Sequence, residues 1–126
     1  MNGTILYIED NRDNRMLVRR VLEAEGYRVL EAEDGPEGIE FLKSEIPDLV
    51  LMDINLPEMD GYEVTARLKQ MPSTANVPVI AMTANVMKGD REKTLGAGCD
   101  GYIPKPIDID ALPDELAKFL RKNSHE

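Results

Sequence analysis

Residues 48–61 read DLVLMDINLPEMDG. Leu49–Met52 is a continuous apolar run rather than an alternating one, which suits a strand covered on both faces inside a parallel sheet. Asp53 ends the run with a charge, and Asn55, Pro57, Asp60 and Gly61 beyond it are turn formers. A carboxylate therefore sits where a buried strand emerges. In open α/β sheets that edge is where ligands and chemistry gather. Taken alone, Asp53 could equally well end the strand or cap the next helix.

Upstream, Ile5–Ile8 is a second apolar run, with Glu9 and Asp10 at its carboxyl end. From Asn11 or Asp13 the pattern turns helical: Leu17, Val18, Val21 and Leu22 recur on one stripe, with Arg15, Arg19, Arg20 and Glu23 outside it. Gly26 stands where a helix C-cap is preferred. Residues 27–32 read as a strand whose Arg28 and Glu31 imply a sheet edge. Asp34-Gly35-Pro36 opens a helix with Ile39, Leu42 and Ile46 on its buried stripe, and Pro47 closes it.

Downstream, residues 62–71 form a helix with Val64, Leu68 and Met71 inward, and 72–76 a polar loop. Residues 77–82 are another buried strand, with Thr83 at its carboxyl end. A helix over about 86–95 has a thin apolar stripe weakened by Gly89, so it is expected to pack least firmly. Residues 101–103 make a short strand closed by Pro104, Lys105 and Pro106. The last helix carries Leu112, Leu116, Phe119 and Leu120. Asp108 and Asp110 compete for its N-cap, and Pro113, tolerated only in a first turn, favours Asp110. Strand and helix alternate five times, which predicts a parallel sheet with helices on both faces and right-handed crossovers. One domain over 1–122 is expected, with 123–126 a tail or the start of a linker.

Composition narrows the classes of function. With 24 acidic and 15 basic residues the net charge is −9, which argues against this domain gripping a nucleic-acid backbone. Apolar residues make up 42% of the chain, enough for a core without disulfides, and the lone Cys99 reads as a small buried hydrophobe. There is no basic n-region before the first apolar run and no stretch of membrane-spanning length, so a cytoplasmic location is expected. No phosphate-binding loop of the Walker type or dinucleotide fingerprint follows the first strand. The sole histidine, His125, lies in the tail, which leaves no core histidine for a metal or Ser–His site.

Alternation brings every strand's carboxyl end to one edge of the sheet, and Glu9, Asp10, Asp53, Thr83 and Lys105 each lie at such an end. Clustered carboxylates raise one another's pKa unless a cation intervenes. Oxygen donors without histidine or thiolate suit a hard ion such as Mg²⁺. Lys105 could offset the remaining charge or bind an incoming anion, and Thr83 adds a hydroxyl. A carboxylate can act as a nucleophile toward phosphorus, given a metal and a lysine to neutralise the transferring oxygens.

The motifs ILYIEDN (5–11), LVLMDINLPEMDG (49–61), VIAMTAN (79–85) and GYIPKP (101–106) together resemble the receiver domain of two-component response regulators over roughly residues 4–120. The segment 83–107 further resembles stand-alone receivers and the receivers of hybrid histidine kinases. The resemblance implies a flavodoxin-like (βα)5 fold with strand order 2-1-3-4-5. It implies that Asp53 is the phosphoacceptor, and that Glu9, Asp10 and Asp53, with the main-chain carbonyl of Asn55, hold Mg²⁺. It implies that Lys105 and Thr83 contact the phosphoryl group, that Lys105–Pro106 is a cis peptide, and that Thr83 and Tyr102 form the switch. Asn55 and Asn85 would tune hydrolysis. The implied partners are a histidine kinase or histidine phosphotransfer protein as donor, and a downstream protein or linked output domain as receiver of the signal. Nucleic acid and membrane are not among them.

The same residues admit two other readings. An aspartate-dependent Mg²⁺ phosphohydrolase commonly needs an acid two residues after the nucleophile, where Asn55 stands, and a cap insertion that this chain lacks. An interaction module that has lost phosphorylation would not be expected to keep the acids, Thr83 and Lys105.

Overall fold

The structure, a computed structural model, describes residues 3–54, 56, 61–83 and 90–123, with side chains at 90, 91 and 121–123 excepted. In chain order the elements are β1 (Thr4–Ile8), α1 (Arg12–Ala24), β2 (Arg28–Ala32), α2 (Gly35–Ser44), β3 (Leu49–Asp53), α3 (Gly61–Gln70), β4 (Val79–Thr83), α4 (Asp90–Gly96), β5 (Gly101–Pro104) and α5 (Leu112–Asn123). All strand pairs are parallel, in the order β2-β1-β3-β4-β5, so the fold is a flavodoxin-like α/β domain. The charged β2 takes an edge, and the wholly buried β3 takes the centre.

The two-residue period of a strand splits its side chains between opposite faces. Ile5, Tyr7, Leu49, Leu51, Ile80 and Met82 pack with Val18 and Leu22 of α1 and with Leu112 and Leu116 of α5. Their neighbours Leu6, Ile8, Val50, Met52, Val79 and Ala81 pack on the other face with Leu42 of α2 and with Val64 and Leu68 of α3. Each fully buried aliphatic side chain contributes about 1.5–3 kcal/mol relative to exposure, which makes the central strands the firm base of the carboxyl edge.

Local chemistry sets the helix ends. The Asn11 side chain accepts from Asn14 N at 2.9 Å and starts α1, and Gly26 at φ 94° reverses the chain after it. Asp34 accepts from Glu37 N at 2.9 Å, while Glu37 reaches back to Glu33 N at 2.6 Å. Gly61 starts α3 where a Cβ would lie 2.9 Å from Ile54 Cα and 3.1 Å from the Asp53 carbonyl oxygen. A side chain there would push the helix away from the end of β3.

Three expectations from the sequence are corrected. The helix expected to carry Ile46 ends at Ser44, and Ile46 is exposed. Glu45 is already extended, and Pro47 disfavours a helical conformation at Ile46. On α1, Leu17 is exposed and Arg15 is buried, the reverse of the expected stripe. Before α5 the capping acid is Asp108, not Asp110. The Asp108 side chain accepts from Asp110 N at 3.1 Å and Ala111 N at 3.3 Å, and its carbonyl accepts from Leu112 N at 3.0 Å. The Asp108 bonds close a turn ahead of the helix, and α5 itself begins at Leu112 with Glu115 N donating to the Ala111 carbonyl, so Pro113 falls in its first turn, where a missing N–H is harmless.

Candidate phosphoacceptor site

The ends of β1, β3, β4 and β5 meet at the carboxyl edge of the sheet. Asp53 is the last residue of β3 and is 3% exposed. Glu9, one residue beyond β1, is 1% exposed. Asp10 is exposed beside them. Ligand oxygens of Glu9, Asp10 and Asp53 all lie within 4.8 Å of one another. Lys105, one residue beyond β5, places Nζ 2.8 Å from Asp53 Oδ2 and 3.9 Å from Glu9 Oε1. Its N–H donates to the Thr83 carbonyl at 2.8 Å, which ties the lysine to the end of β4. Thr83 is buried one residue past Met82, the β4 partner of Asp53.

Electrostatics at this edge are uneven. Burial first, and the Asp53 charge second, push the Glu9 carboxyl up to about 7. The Asn11 N–H, donating to Oε2 at 3.2 Å, and the Lys105 ammonium oppose that rise. Tyr7 lies behind Glu9 and donates its O–H to Oε1 at 3.3 Å. Burial, followed by the Glu9 charge, holds that phenol protonated by pushing its pKa upward. The donor set fits a divalent cation: three carboxylates converge, two of them buried and one exposed to bulk water.

Tyr102 sits in β5 opposite Ala81, half-buried against the core shared with α2 and α3. The Lys105–Pro106 peptide is cis. Asn55 and Asn85 lie outside the described residues, as do 86–89, the first part of the expected fourth helix. Cys99 is buried, and burial raises its thiol pKa, as suits a packed rather than a reactive group.

Sequence reasoning missed two residues that shape the site. Tyr7 read only as part of an apolar run, and its bond to Glu9 emerges from the shared parity of residues 7 and 9. Arg15 read as solvent-facing, yet it falls three residues before Val18 and seven before Leu22, the spacing of the buried stripe. That periodicity was the available signal.

A doubly wound parallel sheet with an acid–lysine cluster at its carboxyl edge is suited to handling phosphoryl groups. Residues 5–117 match the family model described as the response regulator receiver domain, and the chain belongs to that family. It is a receiver domain of two-component signalling, a family whose general features include aspartate phosphorylation and Mg²⁺. The polar-differentiation response regulator DivK of Brucella ovis is 40% identical over 120 residues, covering 95% of this chain and 98% of that one. The receiver domain of a signal transduction histidine kinase from Syntrophus aciditrophicus superposes with a TM-score of 0.90 at 31% identity, covering 98% of this chain and 94% of that chain. The receiver domain of a sensor histidine kinase from Pseudomonas aeruginosa PAO1 is 35% identical, with a TM-score of 0.87 over 94% of this chain and 98% of that one; its structure holds a magnesium ion in the active-site cleft.

Proposed function

We propose that Asp53 accepts a phosphoryl group from a phosphohistidine on a histidine kinase or histidine phosphotransfer protein. One observation carries the reading: a buried carboxylate ends the central strand with an ammonium 2.8 Å away and two further acids beside it. An Asp53 carboxylate oxygen attacks phosphorus, the donor's P–N bond breaks, and its electron pair leaves with the imidazole. Glu9, Asp10 and Asp53, with the carbonyl of Asn55, would hold Mg²⁺, which when bound neutralises negative charge on the acids and on the phosphoryl oxygens. Lys105 stays at the acceptor and takes a second phosphoryl oxygen, and the Thr83 hydroxyl takes a third.

The phosphoryl group on Asp53 brings acceptor oxygens that carry roughly −1.5 to −2 charge. Thr83 moves toward it, and Tyr102 turns inward beside β5. The surface of α4, β5 and α5 then serves a downstream protein or a linked output domain. Asn55 and Asn85 are small and neutral, and they orient the water that later hydrolyses the acyl phosphate. The protein acts as a phosphoacceptor rather than a turnover enzyme, in the cytoplasm, through a unit spanning 1–122, with 123–126 a tail or the start of a linker. No helix among the described residues is long and apolar enough to cross a membrane, and the acidic balance disfavours nucleic acid.

Acetyl phosphate with Mg²⁺, followed by intact mass, tests the proposal. A single added phosphoryl group is expected in the wild type and none in Asp53→Asn. No adduct on the wild type would leave an interaction module as the better reading, and rapid multiple turnover would leave a phosphohydrolase.

A further inference from the structure

We infer that Arg15 is a positioning residue for the acidic site: it holds the peptide that carries Glu9 and Asp10, and divalent-cation affinity depends on that hold. This goes beyond the phosphoacceptor reading above but rests on it.

Arg15 is 8% exposed although it lies on a surface helix. Its Nη1 donates to the Glu9 carbonyl oxygen at 2.7 Å. Its Nη2 lies 3.4 Å from Glu33 Oε1, and its Nε lies 3.5 Å from Glu31 Oε1. Glu31 is held in turn by Arg19 Nη1 at 2.6 Å. On its other side the Glu9 N–H donates to the Ala32 carbonyl at 3.0 Å. Both main-chain groups of Glu9 are therefore fastened to the end of β2, one directly and one through Arg15.

The geometry reaches the site because the Glu9 carbonyl belongs to the planar Glu9–Asp10 peptide. Fixing that oxygen fixes the plane from which both side chains project. Tyr7 and Asn11 hold the Glu9 carboxylate itself, whereas Asp10 is exposed, so the peptide between the two acids is the point at which Arg15 sets them relative to each other. A guanidinium suits the task, because its rigid fork serves a carbonyl and two carboxylates at once; an ammonium cannot match that geometry.

Mg²⁺ titration calorimetry on wild type, Arg15→Met, Arg15→Lys, Glu33→Gln and Lys69→Met, each checked by circular dichroism as folded, tests the inference. Arg15→Met should weaken Mg²⁺ binding about tenfold, the lower end of what loss of an outer-shell partner costs. Arg15→Lys should recover only part. Phosphorylation from acetyl phosphate should fall in the same proportion at Mg²⁺ concentrations well below saturation and return to the wild-type rate at saturation. Glu33→Gln should weaken binding slightly in the wild type and not at all beside Arg15→Met, because it acts through the guanidinium. Lys69→Met breaks a different partly buried ion pair, to Asp100 at 3.0 Å, and should leave the affinity unchanged.

Wild-type affinity in folded Arg15→Met, or an equal loss in Lys69→Met, overturns the inference while the phosphoacceptor reading stands. A wild type that neither binds Mg²⁺ nor takes phosphate removes both. Should Arg15→Met fail to fold, Arg15→Lys and the Glu33→Gln coupling within it decide the matter in the same way.

Discussion

Glu9 carries its charge where burial and Asp53 both oppose it. Its folded pKa of about 7 exceeds the ordinary 4.5, so between those values the folded state binds more protons than the unfolded chain. Stability from this group is therefore fully present below about pH 4.5 and is lost as pH rises through 7. In EDTA, Glu9→Gln should melt near the wild type at pH 5 and clearly above it at pH 8, by a few kcal/mol at most. A melting difference that stays flat or shrinks across that range would contradict the electrostatic account. Lys105 is the opposing case. Its removal leaves the buried Asp53 carboxylate without the ammonium at 2.8 Å. Because Lys105 is partly exposed, Lys105→Met should cost metal-free stability about 2 kcal/mol, below the 3–5 of a fully buried pair. It should also slow phosphorylation from acetyl phosphate roughly a hundredfold, as loss of a preorganised charge at a transferring group does. A variant that melts above wild type, or one that accepts phosphate at the normal rate, would deny the lysine its place.

Along the seam between α3 and the α4–β5 segment, polar contacts run alongside the apolar packing of Val64, Leu68 and Cys99. Tyr62 Oη lies 3.3 Å from Thr94 Oγ1, Lys93 Nζ stands 5.0 Å from the Tyr62 ring centroid, and Thr65 Oγ1 lies 3.5 Å from Cys99 Sγ. Lys69 closes the seam on Asp100. Leu95, in contrast, is exposed on α4. Directional bonds of this kind give an element discrete positions, and a phosphoryl group need favour one by only a few kcal/mol to shift its population. Hydrogen exchange with beryllofluoride, which mimics the acyl phosphate, should change protection across residues 83–103, and Thr83→Ala should abolish that change. Protection altered only around Asp53 would mean the signal does not take this route. At the other end of α3, Gly61→Ala should cost about 1–3 kcal/mol in a denaturant melt, since the added methyl meets the backbone of Ile54 rather than a yielding side chain; a neutral effect would show that α3 can retreat from β3 freely. Element type was legible from the sequence, because apolar periodicity registers burial directly. Element edges were less so. Ile46 and Asp110 were misplaced because a pre-proline residue and a turn ahead of the helix decide those ends through backbone geometry. Arg15 was misplaced because residue type outweighed position: its guanidinium on the buried stripe is satisfied by the carbonyl of Glu9, by Glu31 of β2 and by Glu33 just beyond that strand, and none of those contacts lies within α1.

At the scale of the whole molecule, parallel topology does what no single motif could. Residues 9, 53, 83 and 105 are distant in the chain, yet each closes or follows a strand running in the same direction, so they share one edge. That much is legible in the sequence, because five alternations of strand and helix force it. The tilt of the electrostatics was not readable: that Glu9 rather than Asp10 is the buried acid depends on Tyr7, Asn11 and Arg15 closing around it in three dimensions. The central claim is that this convergence makes Asp53, and no other acid of the 24, the acceptor. Borohydride reduction after incubation with acetyl phosphate and Mg²⁺ converts an acyl-phosphorylated aspartate to homoserine, which peptide mass spectrometry locates. The account predicts homoserine at position 53 alone, and homoserine at Asp10 or Asp60 would contradict it.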